Sequence, residues 1–230
     1  MADLTILTFW WGEKYSPDYV ARLASGLRRH LHQPYRFVCV HGRGMVPPPD
    51  VETAPLADPG LCTIPGCFAR LRVFSPDWQR EHDIPAGSRI VCLDLDLIVT
   101  GPLDPLFDRD ENFVIWQNAN VSNPCPYNAS VTMLRACAHA EVWSTFSPDA
   151  ARRTKFFAFP DDQGWLWHTL PDAAGWECGA ASGIWAFGKR AWPKDNKLPD
   201  DARIVAFPGA RDPSHYMQLP WVQQHWLVDA

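Results

Sequence analysis

At the start of this chain, two short apolar runs flank a segment whose apolar residues recur with the period of a helix. Residues 4–9 and 36–40 are rich in β-branched and aromatic side chains, which is typical of strands. Between them, Ser16 and Pro17 occupy the N-cap and first-turn positions of a predicted helix. Its apolar stripe consists of Tyr19, Val20, Leu23, Leu27 and Leu31. This β-α-β order predicts a parallel sheet with a right-handed crossover.

The rest of the chain continues the alternation of strands and helices. Apolar runs predict strands at residues 90–95, 113–116, 129–134 and 203–207. Helices are predicted at residues 67–74, 137–146 and 162–170, and residues 42–65 form a long irregular section rich in Pro and Gly. No linker divides the chain, so we expect one α/β domain over residues 1–230, with a central, mostly parallel sheet flanked by helices.

Two carboxylates interrupt the most apolar run, which spans residues 89–99. Asp94 and Asp96 lie one residue apart in a segment that is otherwise typical of a strand buried on both faces. Ionised carboxylates are costly to bury unless they are paired or bind a metal. We therefore expect both at the carboxyl end of the strand, on the same side, sharing a cation such as Mn²⁺ or Mg²⁺ that carries a substrate phosphate.

Composition and charge exclude several classes of protein. The formal net charge of −5 argues against a broad basic surface for nucleic acid. No apolar segment reaches the ~20 residues that span a bilayer, and the N-terminus has no basic stretch before its apolar run, unlike a signal peptide. We therefore expect a cytoplasmic protein without a transmembrane segment. The seven cysteines are odd in number and predict no disulfide scaffold.

Residues 93–107, which contain Asp94 and Asp96, resemble the Asp-x-Asp region of GT-A-fold glycosyltransferases, most closely family eight and its bacterial relatives. Three further segments are similar to motifs of that family in the same order. They are Phe68-Ala69-Arg70-Leu71-Arg72, the strand that begins Tyr127-Asn128-Ala129-Ser130, and Pro160-Asp161-Asp162-Gln163-Gly164-Trp165-Leu166. Asp-x-Asp alone is a weak motif, so the order and spacing of the segments carry the resemblance.

The resemblance implies a metal-dependent enzyme that transfers a sugar from a nucleotide-diphosphate donor, with UDP favoured and the anomeric configuration retained. It implies Mn²⁺ (or Mg²⁺) as cofactor and leaves open whether a carbohydrate, a lipid or a protein accepts the sugar. The implied donor-binding residues are Thr8, Phe9, Trp10, Arg70, Asp94, Asn128, Ser130 and Arg211. Asp162 and Gln163 would lie near the transferred sugar, and Asp94, Asp96 and His215 would hold the metal.

The match to the family weakens in the segment Ile204–Pro213. Family members often carry a metal-binding His beside the Phe of this segment, and here those positions are Ala206 and Pro208. The diphosphate-binding Lys position holds Asp212, so Arg211 and His215 are the candidates for the missing charge and ligand. A lone His is more often structural.

Two other functions fit parts of the sequence. The missing His and Lys are compatible with a catalytically silent protein that binds a sugar or a nucleotide on the same fold. A haloacid dehalogenase-like phosphatase also places Asp-x-Asp after an apolar strand, with the first Asp as nucleophile. That class carries a later Gly-Asp-x-x-x-Asp pair, which this chain lacks.

Overall fold

The computed structural model describes residues 3–120, 122–154, 161–189 and 191–229. Pro160 of the Asp-Gln segment lies outside the described residues. The strands are β1 (Leu4–Trp10), β2 (Arg36–His41), β3 (Glu52–Pro55), β4 (Arg89–Leu93), β5 (Leu97–Val99), β6 (Phe113–Gln117), β7 (Tyr127–Arg135), β8 (Ala174–Glu177), β9 (Ile184–Ala186) and β10 (Ile204–Ala206). The helices are α1 (Pro17–His30), α2 (Pro76–Glu81), α3 (Asp104–Phe107), α4 (Glu141–Ser144), α5 (Pro148–Arg152), α6 (Asp162–Thr169) and α7 (Pro220–His225). Three 3-10 helices cover Pro59–Thr63, Phe68–Phe74 and Pro213–Tyr216.

The central sheet has seven described strands in the order β3-β2-β1-β4-β7-β6-β8. The pairs β3–β2, β2–β1, β1–β4 and β6–β8 are parallel, whereas β7 is antiparallel to both β4 and β6. The predicted α/β fold with a central, mostly parallel sheet is therefore confirmed. That the chain forms one domain over residues 1–230 stays a prediction.

A smaller sheet, β5-β10-β9, adjoins the central one. Helix α1 packs on β5, where a Cβ added to Gly26 would lie 3.0 Å from the Cβ of Val99. A cluster of aromatic side chains covers the smaller sheet, and it includes Phe187, Trp192, Phe207, Trp221 and Trp226, all buried. The tryptophans of the C-terminal segment are therefore core residues here, which is the usual place of large apolar rings.

Two predicted helices differ from the observed elements. Residues 137–146 contain only the short helix α4, because Cys137 and His139 have positive φ angles of 67° and 55°. Residues in this left-handed conformation cannot continue a right-handed helix. The segment predicted as a helix at 67–74 is the tighter 3-10 helix Phe68–Phe74. In the part of the chain that the structure describes, no helix is long and apolar enough to cross a membrane.

Candidate active site

A cavity of about 380 Å³ opens at the carboxyl ends of β1 and β4. This volume lies in the range of small-molecule sites, and the edge of the sheet is where α/β proteins commonly bind ligands. The cavity is lined by Phe9, Trp11, Lys14, Tyr15, Cys67, Arg70, Asp94, Leu95, Asp96, Asn128, Ser130, Gln163, Pro208 and Gly209. Seven residues predicted from the sequence therefore meet here: Phe9, Arg70, Asp94, Asp96, Asn128, Ser130 and Gln163.

The two aspartates directly follow the carboxyl end of β4, in the link between the two sheets, whereas the predicted strand at residues 90–95 extended past Asp94. Strand β4 ends at Leu93, and β5 of the smaller sheet begins at Leu97. The backbone N–H of Asp94 donates to the carbonyl of Ser130 at 3.0 Å, and the carbonyl of Asp96 accepts from Phe207 N–H at 3.0 Å. One residue is thus tied to the central sheet and the other to the smaller sheet.

The guanidinium of Arg70 connects two carboxylates. Its Nη1 donates to Oδ1 of Asp94, and its Nε donates to Oδ2 of Asp162 at 2.7 Å. Charge-assisted bonds of this kind are the strong class of hydrogen bond. The side chain of Arg70 is only 13% exposed. Arg70 thus holds one side of the Asp94 carboxylate, and its predicted contact with the donor stays a prediction.

Asp162 is enclosed behind the cavity and does not line it. Its side chain is 2% exposed, and its backbone N–H donates to the carbonyl of Gly66 at 2.8 Å. Burial raises the pKa of Asp162 to about 7; the charge of Arg70 opposes this rise, whereas Asp161 and Asp94 add to it. The N-cap of α6 is Asp161, whose carboxylate accepts from Gly164 N–H at 2.7 Å. Asp162 is therefore free to pair with Arg70.

Asp96 pairs with two side chains from the loop after β1. The Tyr15 hydroxyl donates to Oδ2 of Asp96 at 2.7 Å, and the Lys14 ammonium donates to the same oxygen at 3.2 Å. Burial, followed by the charge of Asp94, raises the pKa of Asp96, while Tyr15 and Lys14 oppose this rise. Burial and Asp96 also raise the pKa of Tyr15, so its phenol remains a protonated donor.

Three polar residues on β7 and α6 also line the cavity, namely Asn128, Ser130 and Gln163. Asn128 begins β7, and its Oδ1 accepts from Ser130 N–H at 2.9 Å. The Gln163 side chain contacts Asp161 through Nε2 at 3.0 Å and the N–H of Ala129 through Oε1 at 3.4 Å. These contacts fix the orientation of the Gln163 amide beside the cavity.

Thr8 and Trp10 of β1 do not line the cavity, although the resemblance implied that they bind the donor. The Thr8 hydroxyl donates to the carbonyl of Leu93 at 2.9 Å, and the Trp10 indole donates to the carbonyl of Tyr15 at 2.8 Å. Both side chains are buried. Because side chains alternate along a strand, Phe9 between them lies on the other face and reaches the cavity.

Arg211 and His215 also lie outside the cavity lining. Arg211 donates to the carbonyl of Gly188 at 3.2 Å, and its guanidinium fits there because Gly188 has no Cβ, which would lie 2.8 Å from Arg211 Nε. His215 is exposed on the 3-10 helix Pro213–Tyr216. The N-cap of that helix is Asp212, so the acidic residue at the family's Lys position has a structural role here.

Sequence reasoning missed Lys14, Tyr15 and Cys67 as members of the site. Lys14 and Tyr15 could have been expected in the site, because they follow β1. Since β1 and β4 are parallel neighbours, the loop after β1 lies at the same edge of the sheet as the end of β4. Cys67 has no comparable signal. It comes to the cavity because its left-handed backbone, with a φ of 55°, turns the chain into the helix of Arg70.

The carboxylates of Asp94 and Asp96 each offer one oxygen that could bind a divalent cation. Among the described residues, Asp94 Oδ2 and Asp96 Oδ1 receive no protein hydrogen bond, because Arg70 takes Oδ1 of the first and Lys14 and Tyr15 take Oδ2 of the second. Within the same residues no three His, Cys, Asp or Glu side chains cluster as a metal site. Two carboxylates completed by waters and substrate phosphates suit Mg²⁺-type ions, so this donor set fits a cation that arrives with its ligand.

No protein family and no curated protein matches the sequence. Solved structures do match the fold. One is the galactosyltransferase LgtC in complex with donor and acceptor sugar analogs, with a TM-score of 0.63, 12% identity, and coverage of 98% of this chain and 97% of LgtC. Another is the glycosyltransferase GlyE of Streptococcus pneumoniae TIGR4, with a TM-score of 0.62, 17% identity, and coverage of 96% and 63%.

Mouse xyloside xylosyltransferase 1 in its apo form is also similar, with a TM-score of 0.56, 13% identity, and coverage of 89% of this chain and 97% of the mouse chain. At such identities the likeness concerns the backbone arrangement. The chain therefore shares its fold with these glycosyltransferases, and the predicted GT-A-type fold is confirmed.

Proposed function

We propose that this protein is a glycosyltransferase that takes its sugar from a nucleotide-diphosphate donor, with UDP as the nucleotide. The observation that carries the proposal is the pair Asp94 and Asp96, which line a cavity on a fold shared with glycosyltransferases; each keeps one carboxylate oxygen that accepts no hydrogen bond from the described residues. LgtC has been solved with donor and acceptor sugar analogs. The fold that this chain shares with LgtC supports the proposal here.

The chemistry of the reaction explains the arrangement of charges. Cleavage of the bond between sugar and diphosphate leaves negative charge on the diphosphate, which nearby positive groups stabilise. In the proposal, Asp94 and Asp96 hold Mn²⁺ or Mg²⁺, which supplies positive charge to the diphosphate. Arg70 keeps Asp94 in place through its hydrogen bond to Oδ1. Donor base, metal dependence and retention are parts of the proposal that rest on the sequence resemblance.

Gln163 is the proposed residue beside the transferred sugar. Its amide lines the cavity and is held by Asp161 and by the Ala129 backbone. A solved active-site mutant of LgtC has glutamate in place of a glutamine. Asp162 is the other predicted catalytic residue. Because it is enclosed and bound to Arg70, we assign it to positioning Arg70 and thereby Asp94.

A panel of nucleotide-sugars tests the proposal by thermal shift, with Mn²⁺ present or removed by EDTA. A ligand that binds only the native state raises the melting temperature. We expect UDP and at least one UDP-sugar to raise it with Mn²⁺, and Asp96→Ala to lose this shift while keeping its fold. The matched control is Asp195→Ala, which removes an exposed partner of Lys197. Undiminished UDP-sugar binding by Asp96→Ala would refute the proposal.

A silent sugar- or nucleotide-binding protein is the second candidate, favoured by the absence of Arg211 and His215 from the cavity lining. Release of free UDP from a UDP-sugar distinguishes the two, because a silent binder releases none. The phosphatase alternative has weaker support. Its nucleophile would be Asp94, and the Arg70 guanidinium bound to that carboxylate lowers its nucleophilicity. Hydrolysis of p-nitrophenyl phosphate would be the evidence for it.

A further inference from the structure

Lys14 is the cation in the cavity whose role the proposed function leaves unassigned. Its Nζ lies 3.2 Å from Oδ2 of Asp96 and 4.5 Å from the centre of the Tyr15 ring. The Lys14 side chain is 54% exposed, whereas that of Asp96 is 14% exposed. The exposed ammonium of Lys14 therefore neutralises the largely buried carboxylate of Asp96.

Asp96 depends on Lys14 for a counterion. The other cation among the described residues that line the cavity is Arg70, and its guanidinium is already bound to Asp94 and Asp162. Tyr15 contributes a neutral hydrogen bond to Asp96. A buried carboxylate with no positive partner is costly. Without a bound metal, Lys14 is thus the group among the described residues that balances Asp96.

We propose that Lys14 is a tethered counterion that a divalent cation displaces from Asp96, and that the displaced ammonium then binds the donor diphosphate. The first step concerns Lys14 and the metal alone. The second rests on the proposed function, because it requires a nucleotide-diphosphate ligand in the cavity.

Displacement is feasible because the Lys14 contact is weak and reversible. Ion pairs with an exposed partner contribute little, since water competes for the ammonium and the long side chain loses freedom in the pair. A divalent cation brings twice the charge and can also use the unpaired Oδ2 of Asp94. Tyr15 can keep its hydrogen bond to Asp96 throughout, so the carboxylate stays in position while its counterion changes.

The displaced ammonium has a favourable place to go. Lys14 lines the same cavity as Asp94 and Asp96, on the loop that follows β1. Lysine binds phosphate as a flexible point charge, which suits a group that must change partners. The carboxylates of Asp94 and Asp96 already offset the two charges of a divalent cation, so the negative charge of a diphosphate bound beside the metal still attracts the free ammonium.

The first experiment measures Mn²⁺ binding without nucleotide, by the electron paramagnetic resonance signal of free Mn²⁺. It compares the wild type with Lys14→Met and with the matched control Lys197→Met, which removes an exposed lysine that pairs with Asp195 at 3.1 Å. We expect Lys14→Met to bind Mn²⁺ about fivefold more tightly, as expected when a competing ion pair of about 1 kcal/mol is removed. Lys197→Met should match the wild type. Equal or weaker binding by Lys14→Met, or no Mn²⁺ binding by any variant, would overturn displacement.

The second experiment measures UDP binding by calorimetry at saturating Mn²⁺. We expect Lys14→Met to bind UDP about tenfold more weakly, as for the loss of one charge-assisted hydrogen bond, and Lys14→Arg to recover most of the affinity. Unchanged UDP affinity in Lys14→Met would overturn the diphosphate contact. If the wild type binds Mn²⁺ with the expected dependence on Lys14 but binds no nucleotide, the proposed function and the diphosphate contact fail while displacement is supported.

Discussion

Nε and Nη2 of Arg70 both contact one oxygen of Asp162, Oδ2, at 2.7 and 2.6 Å. This double contact joins the 3-10 helix Phe68–Phe74 to the start of α6, and the remaining nitrogen of the same guanidinium reaches Asp94. Three segments that are far apart in the sequence thus meet at a single side chain. The shape of the cavity floor depends on the planar, forked guanidinium, which an ammonium cannot reproduce.

Replacing Arg70 by lysine should destabilise the protein and weaken donor binding together. An ammonium cannot hold Asp162 through two nitrogens and also reach Asp94, so a buried carboxylate loses part of its pairing. Breaking a buried pair costs about 3–5 kcal/mol when one partner is removed, and we expect about half of that for Arg70→Lys. Urea denaturation measures the free energy of unfolding.

The matched control for that measurement is Arg80→Lys, which alters an exposed pair with Asp77 and should change the unfolding free energy by less than about 0.5 kcal/mol. Equal stability of Arg70→Lys and the wild type would show that the three contacts of Arg70 contribute little to the fold.

The raised pKa of Asp162 should make stability depend on pH. Its pKa is 3.8 when unperturbed and about 7 in the folded protein, so the folded state binds more protons between these values. The contribution of Asp162 to stability is therefore full at low pH, and it declines as pH rises from about 4 to about 7. A shift of this size corresponds to about 4 kcal/mol as an upper bound.

Asp162→Asn isolates this contribution because it cannot titrate. The free energy of unfolding of the wild type minus that of Asp162→Asn should fall between pH 4 and pH 7 and stay level above pH 7. Chemical denaturation at closely spaced pH values measures this difference. A difference that grows with pH would mean that the ion pair with Arg70 outweighs burial.

Gly26→Ala should destabilise the protein although it replaces glycine within a helix. On an exposed helix face the change would stabilise by about 1 kcal/mol. In α1, however, the new Cβ would lie 3.0 Å from the Cβ and 3.2 Å from Cγ2 of Val99, so helix and strand must move apart. Overpacking of this kind costs about 1–3 kcal/mol.

Thermal unfolding measures the effect of Gly26→Ala, and Gly60→Ala is the control, since a Cβ there meets no atom within 4 Å. We expect a lower melting temperature for Gly26→Ala and almost no change for Gly60→Ala. Stabilisation by Gly26→Ala would show that α1 and β5 can separate without loss.

Gln163→Ala should lower turnover while leaving the affinity for UDP within about twofold of the wild type. The Gln163 amide is proposed to contact the sugar and not the nucleotide. Because UDP lacks the transferred sugar, removing the amide should leave UDP binding nearly unchanged. Release of UDP from a UDP-sugar and calorimetry with UDP measure the two quantities. A parallel loss of both would place Gln163 at the nucleotide.

Strands β1, β2, β4, β6, β7 and β10 were predicted from their apolar runs, whereas the short strands β3, β5, β8 and β9 were not predicted as separate strands. Periodicity does not reveal which strand runs in reverse, and the antiparallel direction of β7 follows only from its pairing with β4 and β6. Helix limits were less predictable where single residues take positive φ, as at Cys137 and His139. Such local conformations depend on packing that a single sequence does not display.

The candidate site was predictable where a motif placed a charge in an apolar run, as at Asp94 and Asp96. The contact of Lys14 with Asp96 was not predictable in this way, since 82 positions separate them. The same limit applies to Thr8, whose buried hydroxyl donates to the carbonyl of Leu93, 85 positions away. Partners at such distances follow from the parallel pairing of β1 with β4, which the hydrophobic pattern alone does not determine.

The position of Asp94 and Asp96 between the two sheets has a consequence for the motions of the molecule. A ligand that engages both carboxylates also fastens the end of β4 to the start of β5, and Phe207 extends this connection to β10. Local opening of the smaller sheet must then break ligand contacts, which raises its free energy. Amide hydrogens of β5, β9 and β10 should therefore exchange more slowly with solvent when the cavity is filled, so that a sheet outside the cavity reports its occupancy.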